Sequence, residues 1–239
     1  MPGPEGPSII EHISTHWHVV GDPLQFVMRY ASAVRRYVGA LVKNTHDSED
    51  VVQEFLLKTL RQPFTPEQIK RGRFRDYLKV ILRNAAISHF RRAGNRPTSA
   101  TELCASIAAD VDDTADREWV EEWRGCLLRR AWQALELHEN AAPEGIAYTA
   151  LRLAADHPEE SSESLAARAS AISGRAVGAV AFRKQLSRAR RHFAQMIVNE
   201  VRQTLENDGA EEIVDELCDL GLVEYVRDYL PEPFLRNDD

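Results

Sequence analysis

The sequence predicts an all-α protein made of two helical domains joined by an acidic linker. Three observations carry that prediction. Apolar residues recur every three or four positions through most of the chain, no apolar–polar alternation persists long enough for a strand, and charge falls into four alternating blocks. From Arg61 to Pro97 ten Lys/Arg face only Glu67 and Asp76, a net of +8. Thr98 to Glu122 sets eight acids against Arg117 alone, a net of -7. Arg168 to His192 holds seven Lys/Arg and no acid, whereas Glu200 to Asp239 holds thirteen acids and three arginines, a net of -10. The formal net charge of -7 therefore conceals two cationic stretches suited to a polyanionic partner.

With 239 residues, 44% hydrophobic and 28% charged, the chain is long enough to bury one or two cores and is neither a disordered tail nor a fibrous repeat. The longest apolar runs, such as Val80 to Leu82, fall far short of the roughly 20 residues that cross a bilayer, so no membrane contact is expected. The start, MPGPEGPSII, lacks a basic cluster followed by an apolar stretch, and a cytoplasmic location is the expectation. Cys104, Cys126 and Cys218 form no Cys-x-x-Cys pair and read as reduced, mostly packed thiols.

The first helix is expected from about Pro23 to Val42, with Leu24, Met28, Ala31, Val34, Val38 and Leu41 on its inner face. A second begins at Asp47, whose carboxylate can cap the free amides, directs Val51, Phe55 and Leu56 inward, and ends at Pro63 and Pro66. After the loop RQPFTPEQIKRG, a third carries Phe74, Tyr77, Leu78, Ile81, Leu82 and Ala85 on its apolar side and Arg75, Lys79 and Arg83 opposite. Gly94 and Pro97 close the first domain, 1–97, and 98–118 reads as the solvated linker. The second domain, 119–205, opens with a helix bearing Trp119, Trp123, Leu127 and Ala131 on one stripe. GIAYTALRLAADH follows as another helix, broken by Pro158. A Ser-capped short helix, a Gly-containing turn and a longer basic helix then follow the order of a helix-turn-helix. The acidic extension, 206–239, spaces Ile213, Val214, Leu217, Leu220, Leu222, Val226 and Tyr229 as one or two amphipathic helices.

The basic third helix and its loop combine cations with Phe64, Phe74, Tyr77 and Phe90, a mixture that holds unpaired bases by stacking while arginines follow phosphates, or that simply covers an aromatic core. In the second basic block Arg183, Lys184, Gln185 and Arg188 supply base-edge and phosphate donors where a recognition helix meets the major groove. His12, His16 and His18 lack the further ligands of a metal centre. Asp47, Asp50 and Glu54 sit together at a helix start, where the dipole favours negative charge, and suit a basic partner better than acid–base catalysis. With no Gly-rich phosphate loop and no nucleophile elbow, no enzyme, cofactor or metal is expected.

HDSEDVVQEFLLKTL, then GRFRDYLKVILRNAAISHFRR, then LSRARRHF resemble bacterial RNA polymerase sigma factors of the extracytoplasmic-function type. The resemblance implies that 1–97 is a region 2 that binds the core enzyme and melts the -10 element, and that 119–205 is a region 4 that reads the -35 duplex. It carries the family's D-x-x-Q-E onto Asp50, Gln53 and Glu54, which with Asp47 would meet the β′ coiled coil of a core containing β′ and β. It implies capture of a flipped -10 base by the loop from Arg61 to Arg73, with Phe64 and Asn84 at the pocket and Arg73, Arg75, Lys79, Arg83, Arg91 and Arg92 along the single strand. Arg175, Arg183, Lys184, Gln185, Arg188 and Arg191 would contact the -35 element, and an anti-sigma protein becomes a possible partner. The acidic extension departs from a minimal two-domain factor; by charge it suits either folding back onto a basic DNA-binding face or packing beside region 4 and docking another protein. Two alternatives stay open. One is a helix-turn-helix regulator that binds duplex DNA without polymerase, and the other is a helical adaptor that binds proteins only.

Overall fold

A computed structural model describes residues 21–42, 44–65, 73–92, 113–142, 145–207 and 209–229. Most of these residues are helical, and the β-type pairing found among them is an isolated bridge between Arg73 and Leu205. The chain folds as two compact units, 1–126 with 202–208, and 127–201 with 209–239.

The first unit begins with α1 (Pro23–Leu41). Asp22 caps it, its carboxylate accepting from the amides of Leu24 at 2.9 Å and Gln25 at 3.1 Å, and Pro23 needs no amide partner there. The buried face is Phe26, Tyr30, Ala33, Val34, Tyr37 and Val38. It is rotated from the expected stripe, leaving Leu24 60% and Met28 69% exposed. Ring area explains the rotation: three aromatics bury more apolar surface than two aliphatics, and the helix turns to cover them.

Helix α2 (Thr45–Arg61) starts two residues before the expected cap. Asn44 is the N-cap, accepting from His46 and Asp47, so Asp47 lies within the first turn, favoured there by the dipole. Val51, Val52, Phe55 and Thr59 are buried, and the helix ends before Pro63. Helix α3 (Phe74–Arg92) buries Phe74, Leu78, Leu82 and Ala86 at steps of four. Helix α4 (Asp113–Ala141) adds Trp119 and Trp123, so the linker expected to reach 118 ends by Asp113. Tyr30 stacks on Trp123 at 4.5 Å, while Phe26 lies 5.0–6.4 Å from Phe55, Phe64 and Phe74. Such ring pairs add about 0.5–1.5 kcal/mol each beyond their area.

A strap completes this unit. The Phe74 amide, which α3 leaves without an intrahelical acceptor, donates to the carbonyl of Thr204 at 3.0 Å. Arg73 bridges to Leu205, and Arg29 donates to the Gln203 amide oxygen at 2.8 Å. Thr204 and Leu205 are buried. Residues 202–208 thus belong with the first unit, although charge and composition place them at the junction of the second domain and the extension.

In the second unit, Leu135 of α4 packs with Ala147 and Ala189, and Trp132 meets Tyr148 and Phe193. Helix α5 (Ala147–Asp156) has no cap from Ile146. Glu139 serves instead, accepting from the Thr149 amide at 2.9 Å and hydroxyl at 2.7 Å. Helices α6 (Ser162–Ser173) and α7 (Ala179–Arg202) join α5 around Ile146, Ala150, Leu153, Leu165, Ala169 and Phe182. Ser161 caps α6, and Gly174 ends it at φ 67°, where a Cβ is strained. The Ser170 hydroxyl accepts from the Val177 amide at 2.9 Å and fixes the turn. In the extension, α8 (Ala210–Asp219) ends at Gly221, φ 62°, with the Leu222 amide donating back to Leu217. Helix α9 (Val223–Val226) and a 3-10 turn (Arg227–Tyr229) follow, and Ile213, Leu217, Leu220, Leu222 and Val226 are buried. Cys126 is buried but Cys218 is exposed, which corrects the expectation for the latter; Cys104 lies outside the described residues.

Candidate nucleic-acid interface

Helices α2 and α3 and the residue Phe64 enclose a cavity of about 460 Å³ in the first unit. Glu54, Lys58, Thr59 and Gln62 line it from α2 and the residue that ends it; Tyr77, Asn84, Ser88 and Arg92 line it from α3. Val51, Phe55 and Ile81 supply apolar lining. A mostly apolar concavity of this size with a few amides and hydroxyls is the form a small planar ligand requires. Phe64 is half-buried, its ring edge-on to Phe26 at 5.0 Å, Phe74 at 5.5 Å and Tyr77 at 6.1 Å. Burial pushes the Tyr77 phenol above its ordinary pKa, keeping it neutral.

Phe64 and Asn84 therefore meet in one cavity. Gln62, from the expected Arg61–Arg73 loop, and Tyr77, one of the aromatics singled out for stacking, line it as well, whereas Lys58, Thr59 and Ser88 are absent from the residues expected at the pocket. Their signal is periodic: Tyr77, Ile81, Asn84, Ser88 and Arg92 repeat every three or four residues on one face of α3.

The cations do not form the single free ridge expected of them. Arg75 is 4% exposed, its Nε 3.8 Å from Asp76. Lys79 pairs with Asp116 at 2.5 Å, and Arg83 reaches both the Tyr37 hydroxyl at 2.6 Å and Asp116 at 3.4 Å. Burial pushes Tyr37 up to about 12, while Arg83 pulls it the other way. The expected solvent face of α3 is corrected on these grounds, because α4 supplies Asp116 to it. Arg91 and Arg92 are exposed and Arg73 half-buried.

On α2, Asp50 and Gln53 are exposed and Asp47 half-buried. Gln53 also lines a shallower groove of about 400 Å³ with Arg35, Ser48 and Glu49. Glu54 is partly engaged within the chain: its carboxylate meets Arg92 at 2.6 Å and stands 3.6 Å from His89 Nδ1. The hydrogen bond from Arg92 holds it below the usual carboxylate range.

In the second unit the turn spans 174–178, and the candidate recognition helix starts at Ala179. Arg175, Arg183, Lys184, Arg188 and Arg191 are exposed and Gln185 is half-buried. Lys184, Arg188 and Arg191 share one stripe, and Arg183 lies 3.8 Å from Glu163 of α6. Arg168 forks onto Glu160 at 2.6 and 2.9 Å and holds that carboxyl down to about 2. Val180, 59% exposed in the first turn of α7, is a further groove-facing candidate that charge counting overlooks. Among the described residues no group of three His, Cys, Asp or Glu is placed to hold a metal ion, and no helix is long and apolar enough to cross a membrane. His12, His16 and His18 lie outside the described residues.

Residues 26–96 match the family model described as Sigma-70 region 2. The match covers less than a third of the chain and takes in α1 to α3, including the cavity. It points to a non-enzymatic, DNA-binding factor of transcription initiation. No curated protein and no solved structure gives a significant match to the chain.

Proposed function

We propose that the chain is a sigma factor of the extracytoplasmic-function type, which recruits RNA polymerase core to a class of promoters and opens them. The observation that carries this reading is the cavity between α2 and α3, lying within the residues matched to region 2 and joining Phe64 and Tyr77 to Asn84. Extruding a base from a duplex costs a few kcal/mol. Stacking on an aromatic ring returns about 1–3 kcal/mol per base, and an amide that both donates and accepts can read a base edge. The first unit would hold one unpaired base of the -10 element there while Arg91 and Arg73 approach the backbone. Asp47, Asp50 and Gln53 would face the β′ coiled coil of the core.

The second unit would read the -35 duplex. Phe182 anchors α7 in the core it shares with α5 and α6, and Arg175, Arg183, Lys184, Arg188 and Arg191 would give phosphate and base-edge donors, with Gln185 half-buried beside them. Run-off transcription with purified core enzyme on a genomic promoter pool tests the proposal. Discrete starts that require the chain are expected. Duplex binding without core association or initiation would instead make the protein a helix-turn-helix regulator.

A further inference from the structure

Two residues with different expected partners hold each other. Glu54, on the helix proposed to meet core polymerase, and Arg92, on the helix proposed to follow the single strand, both line the cavity. Arg92 Nη2 lies 2.6 Å from one Glu54 oxygen and 2.8 Å from the other, and Arg92 Nε donates to the Ser88 carbonyl at 3.2 Å. His89 Nδ1 stands 3.6 Å from the same carboxylate. In the free chain the guanidinium is thus committed to α2 and to its own helix.

We infer that this ion pair is a latch: Arg92 becomes a phosphate contact only when a cationic partner takes Glu54. The inference rests on the reading that α2 meets the core enzyme and α3 the strand. The Glu54 side chain is 47% exposed and that of Arg92 62% exposed, so the pair is solvated, salt-screened and open to exchange. A phosphate offers Arg92 a fork of acceptors. Breaking the latch from the DNA side alone leaves a bare carboxylate at the mouth of the cavity, facing a polyanion. Breaking it from both sides leaves no unpaired charge. Polymerase and single-stranded DNA then strengthen each other's binding by one common factor.

The test is binding of a single-stranded oligonucleotide across a salt series, for the full chain alone and for its holoenzyme. In the holoenzyme, Arg92→Gln should lower the slope of log affinity against log salt by about 0.7, one phosphate contact on a single strand. In the free chain, wild type and Glu54→Gln/Arg92→Gln should share one slope. Glu54→Gln alone should bind more tightly, with a slope steeper by about 0.7. Circular dichroism confirms that each variant is folded. An Arg92 contribution of equal size in the free chain and the holoenzyme, or none in either, overturns the latch. If no holoenzyme forms, the functional reading fails instead, and the free chain still decides the latch: wild type sharing the slope of the double variant supports it, and wild type sharing the steeper slope of Glu54→Gln overturns it.

Discussion

Leu205 is the most direct probe of the strap. It is 5% exposed and bridged to Arg73, in a segment that also supplies the carbonyl for the Phe74 amide. Leu205→Ala removes most of a buried aliphatic side chain and leaves a void that only partly collapses, a loss of about 2–5 kcal/mol. The strap is short and ends near polar, exposed Glu206 and Asn207, so relaxation should be easy and a value near the lower end, about 2–3 kcal/mol, is expected. The cost should fall on the first unit. Trp119 and Trp123 lie in that unit and Trp132 in the other, so urea unfolding followed by tryptophan emission in a Trp17→Phe/Trp132→Phe background reads the first unit selectively. A midpoint shift with unchanged slope is expected. A change below about 0.5 kcal/mol, the scatter of ordinary surface substitutions, would refute the assignment of 202–208 to this unit.

Asn84→Ala should weaken promoter opening by about 1–3 kcal/mol, roughly five- to 150-fold, while leaving duplex binding by the helix-turn-helix intact; permanganate reactivity of unpaired thymines measures the first and a duplex shift assay the second. Gly174→Ala forces a Cβ into φ 67° with open space around it, so strain alone should cost about 1–2 kcal/mol, seen as a lower denaturation midpoint reported by Trp132. His192 is held below its ordinary pKa, first by burial, then by His138 at a ring distance of 4.8 Å and by Arg191. The unfolded chain therefore takes up this proton first. Stability of the second unit is full above pH 6.5 and falls as pH drops through the lower folded value, and His192→Gln should flatten that part of the pH–stability curve.

Local rules make much of this molecule legible. Pro23 after Asp22, Ser161 before a short helix, and Gly174 after it mark ends by backbone chemistry, and those ends appear where the sequence places them. The Tyr77–Asn84–Arg92 face of α3 follows from helical period alone. The inner face of α1 is hard to read because regular aliphatic spacing at Leu24 and Met28 competes with larger aromatic area at Phe26 and Tyr30, and area decides. Asp47 resembles a cap because Asn44, with equal capping ability, sits just before it. The engagement of Arg75, Lys79 and Arg83 is illegible for another reason. Asp116 lies more than thirty residues from Arg83, inside a segment whose acidity suggests a solvated linker. The strap leaves still less trace, since its main contact is a backbone hydrogen bond that any residue could make.

That contact also sets a timetable. Thr204 follows Phe74 by 130 positions, so the ribosome, adding about 5–20 residues per second, needs on the order of ten seconds between them. Throughout that interval the newborn cavity-bearing unit waits for a piece of itself still unmade. A chain released before Thr204 would emerge with the start of α3 uncovered, so the finished unit certifies that translation passed that residue.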